Sequence, residues 1–352
     1  MLAEAGFIFA VCQIGAEKAL KAEIDREWPA LRFAFSRPGF VTFKLPEQTR
    51  WALDVDLRST FARTYGFSLG KVHGPEAREL VPQVWQLAGS VVPAHVHTWQ
   101  RDTAVPGERG FEPGVTPLAD EVGRLLLAAQ PPASSASPPA LNQVARPGEW
   151  VLDCVLVEPD EWWIGYHVAT SPPTCWPGGV PEIAPRDDVV SRAYWKTIEA
   201  LEWSRLPLRA GDHCAEIGSS PGGAVQALLD RGLTVLGIDP AEMDESLVGH
   251  ERLTHVRKRA MDLKRREFRD VKWLLADSNV APHYTLDSVE AIVTHREVHV
   301  RGLLLTLKLL DWALAAQIPD YVARVRSWGF EPVRTRQLAF NRREICLAAT
   351  RL

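Results

Sequence analysis

The chain has 352 residues, 46% hydrophobic and 24% charged, with a formal net charge of −4. That length suits about two domains with separate cores, and the composition is that of a soluble globular protein. The charge balance excludes a chain-wide polyanion binder while leaving room for a local basic face. The cysteines (Cys12, Cys154, Cys175, Cys214, Cys346) are scattered, odd in number and without a C-x-x-C pair. They predict reduced thiols in a cytoplasmic protein, not a disulfide frame or a zinc site. The apolar run from Phe7 to Ile14 is too short to span a bilayer and no cationic segment precedes it, so no membrane anchor is expected.

From about Gly6 to Leu45 the pattern reads strand, helix, strand, strand. Phe7–Cys12 is the first apolar run, and Gly15–Ile24 carries the 3.6-residue period of an amphipathic helix. Arg32–Phe35 alternates, Arg37-Pro-Gly39 turns, and Phe40–Phe43 returns as a hairpin partner. This small α+β module resembles the ferredoxin-like piece that precedes THUMP RNA-binding domains in RNA-modifying enzymes. Further strands are predicted at Val91–Trp99, Trp150–Val157 and Trp162–Val168, and a helix at Leu118–Ala129. Between them Pro131–Ala140 is too rich in Pro, Ser and Ala to pack and is expected as an exposed loop. The chain has 13 tryptophans. Trp162-Trp163 is a dense spot where base stacking competes with the commoner core role, which is favoured. Thr170–Arg186, rich in Pro and Gly, marks a domain boundary.

Beyond it, strands and helices alternate, implying a mostly parallel sheet with helices on both faces. The unit His213–Leu229 followed by Leu233–Asp239 reads as buried strand, small-residue turn, amphipathic helix, and second strand ending in an acid. Gly218, Gly222 and Gly223 permit close backbone approach to a ligand. The helix start near Pro221 to Ala224 offers unpaired N–H groups. Asp239, about twenty residues on, stands where a Rossmann-like unit places the acid that accepts from ribose hydroxyls. An adenosine-containing cofactor is therefore expected. A nicotinamide or flavin dinucleotide wants G-x-G-x-x-G, and the spacing fails because Ser220 stands two after Gly218. Later strands are expected at Leu253–Val256, Val271–Ala276, Gly302–Leu307, Pro332–Leu338 and Glu344–Ala349, with a helix at Pro319–Trp328.

The string Glu216-Ile-Gly-Ser-Ser-Pro-Gly-Gly223 resembles motif I of the FtsJ-like methyltransferases, which use S-adenosyl-L-methionine (SAM). Four charged residues at element ends, Lys196, Asp277, Lys308 and Glu344, resemble the Lys-Asp-Lys-Glu tetrad of the ribose 2′-O-methyltransferases in that family. Ser191-Arg192 with Lys196, Gln337-Leu338 with Arg343-Glu344, Gly165-Tyr166 and Pro181 are similar to the RlmM-type branch. That branch methylates a cytidine ribose of large-subunit ribosomal RNA and carries an N-terminal THUMP module. The resemblance is specific over residues 165–352 and architectural before that. It implies a class I Rossmann-like methyltransferase sheet over 191–352, a linker over 171–190, and a ferredoxin-like plus THUMP module over 1–170.

It further implies Lys308 as general base, with Lys196, Asp277 and Glu344 positioning it and the ribose. The cofactor set is Gly218, Ser219, Ser220, Pro221, Gly222, Gly223, Asp239, Asp262 and Asp277, where Asp262 either accepts from the adenine amino group or caps a helix. A lysine, ordinarily titrating near about 10.4, serves as base only when neutral; burial and Lys196 would lower its pKa while Asp277 opposes them. Only RNA offers the 2′-hydroxyl. The basic runs Arg257–Arg259 and Lys264–Arg266 are candidates for phosphate contacts, or simply a solvated face. His255, His283, His295 and His299 lack metal-ligand spacing, so no metal is expected. The expected protein is a cytoplasmic monomer acting on RNA. A catalytically silent RNA-binding scaffold, or a SAM enzyme with a non-RNA substrate, are the alternatives. Departures from the branch stand at Ala224 (usually Trp), Leu309-Leu310 (usually Leu-Pro) and Asn341-Arg342-Arg343 (usually more acidic).

Overall fold

The computed structural model describes residues 5–47, 51–89, 92–131 and 138–351. The chain divides into two compact units, Met1–Glu182 and Ile183–Leu352.

The first unit contains β1 (Phe7–Val11), α1 (Glu17–Glu27), β2 (Arg32–Arg37), β3 (Phe40–Lys44), β4 (Thr64–His73) and α2 (Ala77–Ala88). Then come β5 (His95–Gln100), α3 (Pro117–Ala128), β6 (Ala140–Leu141), β7 (Trp150–Glu158), β8 (Glu161–Val168) and α4 (Pro172–Cys175). All eight strands join one sheet in the order β2-β3-β1-β4-β8-β7-β5-β6. It is antiparallel except where β5 runs parallel to β6 and β7. The hairpin module expected at the start is thus one edge of a larger sheet, because β1 pairs with both β3 and β4. Trp162 is core and Trp163 is half-buried, its Nε1 donating to Ser68 Oγ at 2.7 Å. Residues 132–137, the middle of the expected Pro/Ser loop, lie outside the described residues.

The stretch expected as a linker over 171–190 is, in its first half, part of this unit's core. Gly178 and Gly179 have positive φ (60° and 71°) and are buried. A Cβ on Gly178 would lie 2.9 Å from Trp99, and one on Gly179 would lie 2.1 Å from the Arg63 carbonyl oxygen. Arg63 also donates to Gly178 O at 3.1 Å and holds Asp102 through a buried bidentate pair at 2.6 and 2.8 Å. Glycine is needed here so that the chain can lie flat on a tryptophan and on a backbone.

The second unit contains α5 (Ala193–Ser204), β9 (His213–Ile217), α6 (Gly223–Asp230), β10 (Thr234–Ile238), β11 (Leu253–Val256) and β12 (Trp273–Asp277). It continues with α7 (Pro282–Val293), β13 (Gly302–Lys308), α8 (Ile318–Ser327), β14 (Val333–Arg336) and β15 (Glu344–Thr350). The sheet order is β11-β10-β9-β12-β13-β15-β14. Strands β9 to β13 are parallel, and β15 lies antiparallel between β13 and β14. The parallel strands read as near-continuous apolar runs, such as Gly302–Leu307, because helices cover both faces. Four of the five residues of β12 and five of the seven of β13 are buried. Among the described residues no helix is long and apolar enough to cross a membrane.

Candidate active site

Strand β9 lies between β10 and β12, and the sheet grows in opposite directions from it. Such a reversal opens a crevice beyond the carboxyl ends of the two central strands. Gly218 follows β9 with φ +81°, and its N–H donates to Ile238 O at 2.9 Å. A Cβ there would sit 2.5 Å from the Asp277 carbonyl oxygen, so the glycine lets the turn pass the end of β12.

The other two motif glycines answer to the protein rather than to a ligand. A Cβ on Gly222 would meet Leu247 at 2.4 Å and Met243 at 2.7 Å. One on Gly223 would meet Ser191 Oγ at 2.2 Å and Tyr194 N at 3.0 Å. Their physical role is to let α6 start close under the segment leading into α5. Beside them, Ser220 Oγ donates to Glu242 O, and Pro221 O accepts from Asp244 N at 2.8 Å. Ser219 Oγ is buried with no partner among the described residues. The Asp239 carboxylate accepts from Ser220 N at 3.3 Å and Ala241 N at 2.8 Å, which fixes the turn against the end of β10. Asp262 ends a 3-10 turn, Ala260–Asp262, with its side chain exposed; it is not a helix N-cap.

Lys196, Asp277, Lys308 and Glu344 come together as a closed ring. Lys196 Nζ donates to Asp277 Oδ2 at 2.6 Å and to Glu344 Oε1 at 3.1 Å. Lys308 Nζ pairs with Asp277 Oδ1 at 2.8 Å and donates to Glu344 Oε2. The side chains are 16%, 16%, 16% and 7% exposed in the order Lys196, Asp277, Lys308, Glu344. The sheet dictates this grouping. Lys308 and Glu344 are register partners across β13 and β15, while Asp277 ends the adjacent β12 opposite Thr306. Lys196 comes from α5, which packs over the same edge.

Burial disfavours the charged forms of Lys196 and Asp277, but their partners outweigh it. For Lys196, burial pulls the pKa down, yet Asp277 and Glu344 hold it above the ordinary lysine value. For Asp277, burial pushes up while Lys196 and Lys308 hold the carboxyl below the usual range. Beneath the ring lies a cavity of about 20 Å³, lined by Lys196, Asp277, Thr306 and Glu216 among others, which is room for one water molecule. Glu216 is fully buried there. Burial, reinforced by the Asp277 charge, pushes its pKa well above the usual carboxylate range.

One supporting residue escaped sequence reasoning. Glu199, one turn after Lys196 on α5, is fully buried and accepts from Ala339 N at 2.8 Å and Phe340 N at 3.0 Å. It ties the β14–β15 connection, and through it Glu344, to the helix that carries Lys196. The basic runs Arg257–Arg259 and Lys264–Arg266 are solvent-facing apart from half-buried Arg265, and Arg257 pairs with Glu242 at 3.0 Å. Among the described residues no group of His, Cys, Asp and Glu is placed to hold a metal ion.

Residues 189–333 match the family model for FtsJ-like methyltransferase. The chain is 28% identical over 294 residues to a ribosomal RNA large subunit methyltransferase M of Thauera aminoaromatica, covering 76% of this chain and 74% of that one. It is 25% identical over 362 residues to the protein of the same name from Tolumonas auensis, covering 95% and 93%. Among solved structures, TrmN from Thermus thermophilus aligns over 98% of this chain and 99% of its own, at 13% identity and a TM-score of 0.38.

Proposed function

With residues 189–333 an FtsJ-like methyltransferase domain, we propose that the chain transfers a methyl group from SAM to a ribose 2′-oxygen of large-subunit ribosomal RNA. The observation that carries this reading is the ring of two lysines and two carboxylates at the mouth of the crevice beside Gly218. The crevice suits SAM on its own features. The helix α6 begins without a side-chain cap, so its first N–H groups remain for a ligand. Ser219 Oγ is buried beside it without a protein partner among the described residues, Asp239 directly follows β10 for the ribose of the cofactor, and Asp262, exposed on the 3-10 turn after β11, is assigned to the adenine.

Bound SAM supplies an electrophilic methyl group on a sulfonium. The protein's part is to hold the ribose in line and to take up its proton, since a hydroxyl is a poor nucleophile until that proton is withdrawn. Lys308 is the base. As a neutral amine it has two N–H bonds and one lone pair; Asp277 and Glu344 accept the two N–H bonds, which aims the lone pair outward at the substrate. Lys196, kept as ammonium by the same two carboxylates, positions them and stabilises negative charge growing on the ribose oxygen. Receipt of the proton leaves Lys308 an ammonium between two carboxylates. The first unit, with the THUMP-like segment, grips the RNA, and the target is a cytidine as in the RlmM-type branch.

The test is incubation with radiolabelled SAM and, in parallel, unmodified large-subunit ribosomal RNA, DNA of the same sequence, and total cell protein. Label should enter the RNA alone. Label in protein or small molecules, or none in RNA, contradicts the proposal.

A further inference from the structure

The opposite edge of the methyltransferase sheet carries a second concavity. It has a volume of about 610 Å³ and lies at the amino ends of the parallel strands, lined by Arg209, Asp212, Lys272, His299, Arg301 and Arg351 among others. That volume falls within the range of ligand pockets. Its cations rise from a hydrogen-bonded rung. Arg301 N donates to Lys272 O and Arg351 N to Arg301 O, each at 2.7 Å. Three positive side chains therefore leave three successive strand ends, spaced by about 4.8 Å. Like charges so placed repel one another. Within the cavity the opposing acid is Asp212, and it is already engaged: Lys272 Nζ donates to it at 2.7 Å and Trp273 Nε1 at 2.9 Å. Arg351 is anchored to Trp328 O and lies over the Phe330 ring. Arg209 and Arg301 are exposed, and neither guanidinium pairs with a carboxylate among the described residues, although Arg209 N donates to Asp212 at 3.1 Å.

We propose that this cavity binds backbone phosphates of the RNA substrate, at a point remote from the ribose being methylated. Planar guanidinium forks match phosphate oxygens, and a polyanion relieves the repulsion the strand ends build in. Five to seven residue steps along β12 and β13 separate it from Asp277 and Lys308, roughly 17–23 Å at about 3.3 Å per residue. RNA-binding modules that grip the backbone span about 16 base pairs, so one folded RNA can reach both edges. The inference rests on the proposed RNA substrate.

The test measures binding of unmodified large-subunit ribosomal RNA to the full chain by filter retention between 50 and 200 mM salt, for the native protein and for Arg209→Ala/Arg301→Ala. Each phosphate contact contributes about 0.7–0.9 to the slope of log affinity against log salt. The double variant should therefore have a slope shallower by about 1.4–1.8 and bind roughly thirtyfold more weakly near 0.1 M salt. Its affinity for SAM should not change, and its melting temperature should not fall. A variant with the native slope and affinity overturns the inference while leaving the proposed activity intact. So does a variant that keeps its RNA affinity but loses binding of ATP or inorganic phosphate, which would make the cavity a small-anion site. If the native protein binds no RNA, the substrate reading itself falls.

Discussion

Replacing Lys308 by Met removes the amine and keeps the stem. Two effects follow from the ring, and they separate. Breaking a buried ion pair costs about 3–5 kcal/mol. Here Asp277 and Glu344 each keep Lys196, at 2.6 and 3.1 Å, and the ring is 7–16% exposed. The loss should thus fall at or just below the lower bound of that range, about 2–3 kcal/mol, or a melting temperature lower by about 5–10 °C for a unit of this size. Catalytically, a general base contributes about 10²–10⁴-fold, or about 3–5 kcal/mol on the barrier. Lys308→Arg separates the two effects, because a guanidinium restores the charge but does not give up its proton at working pH. Melting temperature should recover in the arginine variant while kcat stays at the methionine level. SAM affinity, measured by calorimetry, should stay within a few-fold in both. Single-turnover methyl transfer well below the melting temperature is the assay. A rate within tenfold of native in Lys308→Met, or rescue of rate by arginine, would mean that this residue supplies charge and not proton transfer.

Glu199→Ala, by freeing the 338–343 connection, should lower kcat about ten- to a hundredfold with SAM affinity unchanged; Glu199→Gln, which can still accept one of the two N–H bonds, should retain more of the rate. Equal kcat in all three proteins would remove the positioning role. Gly223→Ala must displace Ser191 and the start of α5, at a cost of about 1–3 kcal/mol readable as a lower urea midpoint. In pH-dependent unfolding the ring has opposite limbs. Asp277, with its folded pKa depressed, contributes stability that is present above the unfolded value near 3.9 and is lost as pH falls through the folded one. Lys196, with its folded pKa raised, contributes stability fully present below about 10.4 and lost as pH rises through the folded value. Lys308→Met should reduce the acid limb, and an unchanged limb would argue against the pairing.

The grouping of Lys196, Asp277, Lys308 and Glu344 was legible because Asp277 and Lys308 each close an apolar run, and a charge ending a buried parallel strand has few places to point except the crevice. Glu199 was not, since a glutamate within a helix reads as solvent-facing; its spacing of three from Lys196, placing both on one face, was the available signal. Positions 218, 222 and 223 stood out as glycines, but what each one clears depends on Asp277, Leu247 and Ser191, which are remote in sequence. The same holds for Lys272, Arg301 and Arg351, whose adjacency exists only through pairing of strands far apart in the chain. Strand β4 escaped notice because a bulge between Ser68 and Gly70, the latter at φ +132°, breaks the alternation. Without it the continuity of β1 with β8 in one sheet could not be read.

The reaction itself is tested most directly by incubating the chain with trideuteromethyl-SAM and unmodified large-subunit ribosomal RNA, digesting to nucleosides, and locating the label by tandem mass spectrometry. Deuterated methyl on a ribose 2′-oxygen, cytidine foremost, is the predicted result, absent with Lys308→Met. Label on a base, or none on RNA while the native protein binds SAM, would contradict it.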